Sequence, residues 1–186
     1  MNIESRLVTF AGGQVGAWAV VSIAPVAGAS LASVPRLAVA EGPEPQVSAG
    51  LATWSLRGTI EPTNYVRPLE ATALEAVSAP LGRSEATAAA LIPIRKSSAW
   101  WGLSLEERRA IFEERSHHIA RSIPYLPRIA RRLHHGHDLA EPFDFLTWFE
   151  FAPADEHAFD ELLALLRATE EWDYVDREVD IRLRRD

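Results

Sequence analysis

The segment Phe143-Asp-Phe-Leu-Thr-Trp-Phe-Glu-Phe151 alternates between a set made up almost wholly of phenylalanine and a set of mixed polarity. A repeat of two residues is the side-chain period of a β-strand, so the segment predicts a strand with one strongly apolar face. Such a face has to be covered by other elements of the fold. The elements expected on either side of it therefore decide the fold class.

Towards the C-terminus, residues 155–171 predict an amphipathic helix, because their apolar residues recur at helical spacing. Residues 173–183 alternate again and predict a second strand. Towards the N-terminus, residues 128–134 predict a short basic helix. Before it, a long helix runs from Leu105 to about Ile123, beginning at a capping box of Ser104 and Glu107.

The first half of the chain gives weaker signals. Short β-rich runs at 7–10, 17–23 and 52–60 predict strands, residues 67–80 predict a helix, and residues 24–50, rich in Ala, Pro, Gly and Ser, predict a loop. Residues 89–94 predict a further strand, in which Pro93 indicates an edge or an end. Together these elements predict an α+β protein with an antiparallel sheet and helices on one face.

Composition narrows the function. The chain has 186 residues, enough for one cooperative unit, and no cysteine, so disulfides and thiolate metal sites are excluded. A net charge of −7 argues against binding to nucleic acid. No segment predicts a membrane-spanning helix. Ala38-Val-Ala40 resembles a signal-cleavage site, but the preceding residues lack a positive leader and an unbroken apolar run, so we expect a cytoplasmic protein; the alternative is an exported protein whose signal was removed.

Two groups of histidines stand out. His118 lies seven residues after Ile111 on the apolar stripe of the predicted long helix, so its imidazole is expected to face inward, as a hydrogen-bonded core histidine or as an axial metal ligand. His134, His135 and His137 flank a glycine in a polar segment. Their spacing is not that of a zinc site, and we expect a solvated helix end.

Two other sites are ambiguous from the residues alone. Arg131 lies beside apolar Ile129 and Leu133, and its guanidinium either faces solvent or holds a small anion in a pocket. Glu170 and Glu171 end the predicted helix at 155–171, where a carboxylate opposes the helix dipole and needs a compensating partner such as an imidazole N–H.

The string Ala89-Ala-Leu-Ile-Pro-Ile-Arg-Lys-Ser-Ser-Ala-Trp-Trp101 resembles the strand and Trp-Trp segment of chlorite dismutases. His118 stands six residues before Pro124-Tyr-Leu126 and thirteen before Arg131, which is similar to the family's spacing of proximal histidine and distal arginine. Phe143 to Glu150 resembles the family's central strand.

This resemblance implies a fold of two ferredoxin-like subdomains, a truncated one at 1–88 and a haem-binding one at 89–186, whose sheets form a barrel-like unit, in a homodimer. It implies that haem b is bound, with His118 as the iron ligand and a glutamate on its other ring nitrogen. Ungapped counting favours Glu171 for that glutamate, whereas helical periodicity favours Glu170. Asn64, Tyr65 and Trp100 are similar to residues on the propionate side of the haem, and Lys96 belongs to the motif without an assigned role.

The activity implied is the conversion of chlorite, a small anion, to chloride and dioxygen, in which Arg131 retains an anionic intermediate. Three alternatives stay open. They are a coproheme decarboxylase, whose members usually lack the distal arginine; a haem-binding or sensing protein with weak peroxidase activity; and a cofactor-free dimeric module of related fold.

Overall fold

The structure is a computed structural model that describes residues 7–42, 51–60 and 65–185. The strands in these ranges are β1 (Leu7–Gly13), β2 (Trp18–Ala27), β3 (Arg36–Glu41), β4 (Ala52–Thr59), β5 (Ala88–Lys96), β6 (Ala130–His135), β7 (Phe145–Phe151) and β8 (Val175–Arg185). The α-helices are α1 (Pro68–Val77), α2 (Ser98–Gly102), α3 (Leu105–Arg109), α4 (His118–Ser122) and α5 (Glu156–Arg167). A π-helical turn (Ala110–Arg115) continues α3, and a 3-10 turn (Glu170–Tyr174) follows α5.

The eight strands close into a barrel in the order β1-β3-β2-β8-β5-β7-β6-β4. Neighbouring strands pair antiparallel, as β5 does with both β7 and β8. Strands β5 to β8, with helices between β5 and β6 and between β7 and β8, follow the β-α-β-β-α-β order of ferredoxin-like folds. The predicted α+β class with an antiparallel sheet is confirmed.

Strands β1 to β4 repeat the strand order of the second half, since β4-β1-β3-β2 corresponds to β8-β5-β7-β6. The predicted division into residues 1–88 and 89–186 stays a prediction. The barrel interior is shared by both halves: Phe10 and Leu56 from the first half pack in one cluster with Leu91, Trp148 and Ile181 from the second.

A second apolar core lies outside the barrel, between its wall and α5. Phe159, Leu162 and Leu163 of α5 pack on Ile92 of β5 and Phe149 of β7. The strand period explains both cores, because successive side chains of one strand face opposite sides of the sheet. The predicted elements at 143–151, 155–171 and 173–183 are confirmed, although the helix ends at Arg167.

Two predictions were wrong, one for the first half of the chain and one for β5. Within the loop expected at 24–50, the described residues 24–42 contain the end of β2 and all of β3, which pairs along β1; residues 43–50 lie outside the described residues. β5 is not at an edge: it lies between β7 and β8. The paired positions of β5 with β8 skip from Leu91 to Ile94. Pro93, which has no N–H to donate, lies in this interval.

The basic segment at 128–134 was also predicted wrongly, as a helix. Residues 130–135 form β6, which pairs with β7 along its whole length, from Ala130 opposite Glu150 to His135 opposite Phe145. Pairing with a distant strand overrides the helix preference of the local sequence. The change matters for Arg131, which now projects from a sheet.

The long helix predicted from Leu105 to Ile123 is interrupted. It begins with the expected capping box, in which the Ser104 amide donates to Glu107 and the Glu107 amide donates to Ser104 Oγ. After the π-helical turn the chain reverses at His117, whose φ of 53° lies in the left-handed region, and α4 then starts at His118. In the described part of the chain, no helix is long and apolar enough to cross a bilayer.

His134 lies in the barrel interior, and its burial is expected to make the stability of the fold depend on pH. Its Nδ1 is 2.9 Å from the carbonyl oxygen of Leu146, and its ring contacts Phe10 edge to face. Burial lowers the pKa of His134 from 6.5 to about 4. Between these values the unfolded chain binds the proton and the folded chain does not, so stability is lost as the pH falls from 6.5 towards 4.

We expect the His134→Gln variant to lack most of this pH dependence, because the amide does not titrate and retains a donor for Leu146. The free energy of unfolding is measured by urea titration at pH 6.5 and at pH 4. Between these pH values we expect the wild-type protein to lose about 3 kcal/mol more than the variant loses. His157→Gln, a change at a side chain 88% exposed, is the control. Parallel curves for wild type and His134→Gln would contradict the assignment.

Candidate functional site

A cavity of about 970 Å³, part of it open to solvent, lies between the outer face of the barrel and the helices of the second half. Its barrel wall is formed by β5, β6 and β7, and its other wall by α4, α5 and the turns beside them. Most of the lining is apolar, with Ile92, Phe149 and Leu163 among the lining residues. A concave, mostly apolar lining with a few polar side chains is typical of a site for a small molecule or cofactor.

His118 reaches this cavity because the chain reverses just before it. The carboxylate of Glu113 accepts the backbone N–H of Ile119 at 2.6 Å and that of Ala120 at 3.3 Å, so it satisfies two amides at the start of α4. Ser122 Oγ donates to the His118 carbonyl oxygen at 2.7 Å. The imidazole faces inward, as predicted, although the continuous helix that motivated the prediction is not present.

The His118 imidazole is bound to a buried carboxylate. Its Nδ1 lies 2.7 Å from Glu171 Oε2, and the other oxygen of Glu171 accepts from Lys96 Nζ at 3.0 Å. Both Lys96 and Glu171 are buried. Glu171 is therefore the carboxylate on the histidine; Glu170 instead pairs with Arg115 at 3.0 Å near the surface.

Glu171 stays ionised in this setting. Burial raises the pKa of its carboxyl, but the charges and hydrogen bonds of His118 and Lys96 outweigh burial and lower that pKa to about 2. Since a carboxylate has only acceptors, Nδ1 of His118 carries the proton of the neutral ring. The lone pair of Nε2 is then available to a metal.

Two aromatic rings flank the imidazole. Phe112 stacks on it at 4.5 Å between ring centres, and Trp172 lies nearly parallel to it at 6.2 Å. Both rings also line the cavity. The orientation of His118 is thus set by one hydrogen bond and by two rings.

Arg131 projects into the same cavity from β6. Within the described part of the chain its Nε is buried and has no hydrogen-bond partner. Burial lowers the pKa of its guanidinium. Arg131 is half-buried, and a cation whose buried donor lacks a partner is stabilised when an anion binds it, so the cavity is suited to a small negatively charged ligand.

The residues expected on the propionate side are placed as follows. Tyr65 and Trp100 both line the cavity, with ring centres 6.0 Å apart. The Tyr65 hydroxyl accepts from Arg108 at 3.3 Å, and burial raises the pKa of the phenol. Asn64 lies outside the described residues.

The three histidines after Arg131 diverge, and the prediction of a helix end was wrong. His134 faces the barrel interior, and His135 lines the cavity. His137 donates from Nδ1 to Asp144 at 2.7 Å and stacks on Trp101 with ring centres 3.7 Å apart.

Sequence reasoning missed Phe112 and Trp172, and it left Lys96 without a role. Phe112 stands six residues before His118, which is not a helical spacing, and only the reversal at His117 brings the two rings together. Lys96 is separated from Glu171 by 75 residues. A lysine within an apolar strand, next to a tryptophan pair, was the available signal.

The fold and the cavity define a class: a ferredoxin-like α+β barrel that carries a carboxylate-bound imidazole and a half-buried arginine in an apolar pocket. Comparison with known proteins gives the family. A family model described as chlorite dismutase matches residues 47–185. A chlorite dismutase of Ideonella dechloratans is 33% identical over 84 residues, which are 45% of this chain and 27% of that protein.

Solved structures agree. A dimeric chlorite dismutase from Nitrobacter winogradskyi is 56% identical, with a TM-score of 0.89 over 96% of this chain and 99% of the other. A mutant chlorite dismutase from Candidatus Nitrospira defluvii, at 18% identity, shares the fold with a TM-score of 0.71 over 100% and 93% of the two chains. The chain belongs to the chlorite dismutase family.

Lys96→Met tests the buried ion pair. The substitution leaves Glu171 with one partner fewer in a buried setting, and breaking a buried pair costs about 3–5 kcal/mol. We expect a loss of that size in the free energy of unfolding of the protein, measured in urea. Arg115→Met, which breaks the exposed pair with Glu170, is the control and is expected to cost less than about 1 kcal/mol. Equal losses would contradict a special role for Lys96.

Proposed function

We propose that the protein is a haem b-dependent chlorite dismutase that converts chlorite to chloride and dioxygen. The observation that carries this proposal is the pairing, in one cavity, of an imidazole held by Glu171 with the guanidinium of Arg131, whose buried Nε has no partner among the residues that the structure describes. Membership of the family and the likeness to the Nitrobacter winogradskyi protein support it.

The residues present fit haem b. His118 offers an Nε2 lone pair inside the cavity, and the apolar walls suit a flat macrocycle. Tyr65 and Trp100 are proposed to line the propionate side, together with Asn64. When bound, the haem would supply the iron at which oxygen leaves chlorine and dioxygen is formed.

On the proximal side, Glu171 is proposed to act through His118. Its charge draws the Nδ1 proton and makes Nε2 a stronger donor, while its hydrogen bond fixes the plane of the ring. Lys96 binds the other oxygen of Glu171 and compensates its negative charge, so that the carboxylate stays ionised although it is buried.

Arg131 is proposed as the catalytic residue. Its charge attracts the chlorite anion into the cavity, and its planar N–H groups hold the anionic intermediate beside the reacting centre until the oxygen–oxygen bond forms. Because the cavity walls are largely apolar, a preorganised cation acts there more strongly than in solution. The presence of this arginine in the cavity also favours chlorite conversion over the coproheme decarboxylase alternative.

Arg131→Ala is expected to bind haem but to release dioxygen about 10²-fold more slowly, the usual effect of removing one preorganised donor. Its haem is also expected to bleach sooner, since the intermediate escapes. Dioxygen is followed with an electrode after adding chlorite to the haem-loaded protein. Arg132→Ala, at the neighbouring residue, which pairs with Glu41 at 2.7 Å, is the control and should keep wild-type yield. An unchanged oxygen yield in Arg131→Ala would overturn the role.

We also propose that the protein is a homodimer, as the protein from Nitrobacter winogradskyi is described. Exposed apolar side chains, among them Val21 and Val26 of β2 and Val39 of β3, are available for an interface. Native mass spectrometry should give the mass of two 20.6 kDa chains. The mass of a single chain at micromolar concentration would argue against the dimer.

A further inference from the structure

Glu178 is a carboxylate of β8 that is completely buried, with 0% of its surface exposed, yet it does not line the cavity. Its Oε1 accepts from Arg167 at the end of α5, through Nε at 2.9 Å and Nη2 at 2.6 Å. Its Oε2 accepts from the indole N–H of Trp172 at 2.8 Å. Both carboxylate oxygens of Glu178 therefore accept hydrogen bonds, and only Oε1 takes part in the ion pair with Arg167.

Trp172 links this buried pair to the site. Its ring lies within 20° of parallel to the His118 imidazole, and Lys96 Nζ is 5.4 Å from its ring centre. The same ring lines the cavity. The Trp172 indole thus lies near both His118 and Lys96, the two side chains that bind Glu171. Its N–H donates to Glu178, which does not line the cavity.

We propose that Arg167 and Glu178 form a positioning pair, which holds the Trp172 indole and through it keeps His118 and Lys96 in the geometry that binds haem. The inference rests on the proposed function, since it assigns residues to the same site. It extends the support of the iron ligand from Glu171 and Lys96 to a further layer on α5 and β8.

Two physical points favour positioning over simple stabilisation. A fully buried carboxylate is costly, and replacing a buried ion pair by apolar residues is often neutral for stability. Arg167 also has a second acceptor, Asp180 Oδ2 at 3.1 Å, and Asp180 binds Arg182 as well. Asp180 is thus a second acceptor for Arg167, but the Trp172 indole N–H donates to Glu178 and not to Asp180.

Glu178→Gln is the direct test, because an amide has the shape of the carboxylate but only one acceptor oxygen. Either Arg167 or Trp172 then loses its acceptor. Asp180→Asn is the matched control, since it removes one negative charge beside Arg167 at a residue that does not bind the Trp172 indole N–H. The measurement is the rate of haem transfer from the ferric protein to excess apomyoglobin.

We expect Glu178→Gln to lose haem about tenfold faster, the lower end of the effect of outer partners on metal affinity. Asp180→Asn should match the wild type. In a Trp172→Phe background, Glu178→Gln should add no further acceleration, because the N–H through which it acts is gone. Equal acceleration by Glu178→Gln and Asp180→Asn, or an effect that persists in the Trp172→Phe background, would overturn the proposal.

A second measurement separates this inference from the haem assignment. In haem-free protein labelled with ¹⁵N, the Trp172 indole N–H and the His118 Nδ1–H are expected to be protected from exchange with solvent. Glu178→Gln should lower the protection of both, because the indole or the arginine that anchors its acceptor is released, and Asp180→Asn should retain it. Retention of both in Glu178→Gln would overturn the positioning role, whereas failure of the wild-type protein to bind haem would overturn the proposed function alone.

Discussion

The hydrogen bond between His118 Nδ1 and Glu171 Oε2 joins two segments that are 53 residues apart in sequence. It requires a carboxylate that stays charged while buried, and Lys96 provides the compensating charge from β5. The reversal at His117, the π-helical turn before it and the 3-10 turn after α5 all place groups around this bond. Much of the irregular backbone of the second half serves to bring its partners together.

The barrel supplies the rigid side of the site. Strand alternation sends Leu91 into the barrel interior and Ile92 to the outer face beneath α5, so the wall of the cavity is continuous with a packed core. Arg131 depends on the same alternation in β6. A guanidinium on a paired strand has far less freedom than one on a loop, which is what anion positioning demands.

Strong local periodicity predicted β7, α5 and β8, because their apolar residues repeat with the period of the element. β3 and β6 were missed since pairing with distant strands forms them, not their own composition. The inward His118 was predicted from its place on an apolar helical stripe, and Arg131 was assigned to a pocket through residue spacing similar to a known family. Helical periodicity favoured Glu170 wrongly because α5 ends at Arg167, before the carboxylates are reached. Lys96, Trp172 and Glu178 acquire roles only when distant segments meet.

We propose that His118 is the group in this cavity that binds haem iron. Titration of the haem-free protein with ferric haem, followed by absorbance in the Soret region, tests it in the wild type and in His118→Gly. The account predicts saturation at one haem per chain for the wild type, a changed spectrum and weak binding for the variant, and recovery of the wild-type spectrum when free imidazole is added. An identical spectrum and affinity in His118→Gly without imidazole would contradict it.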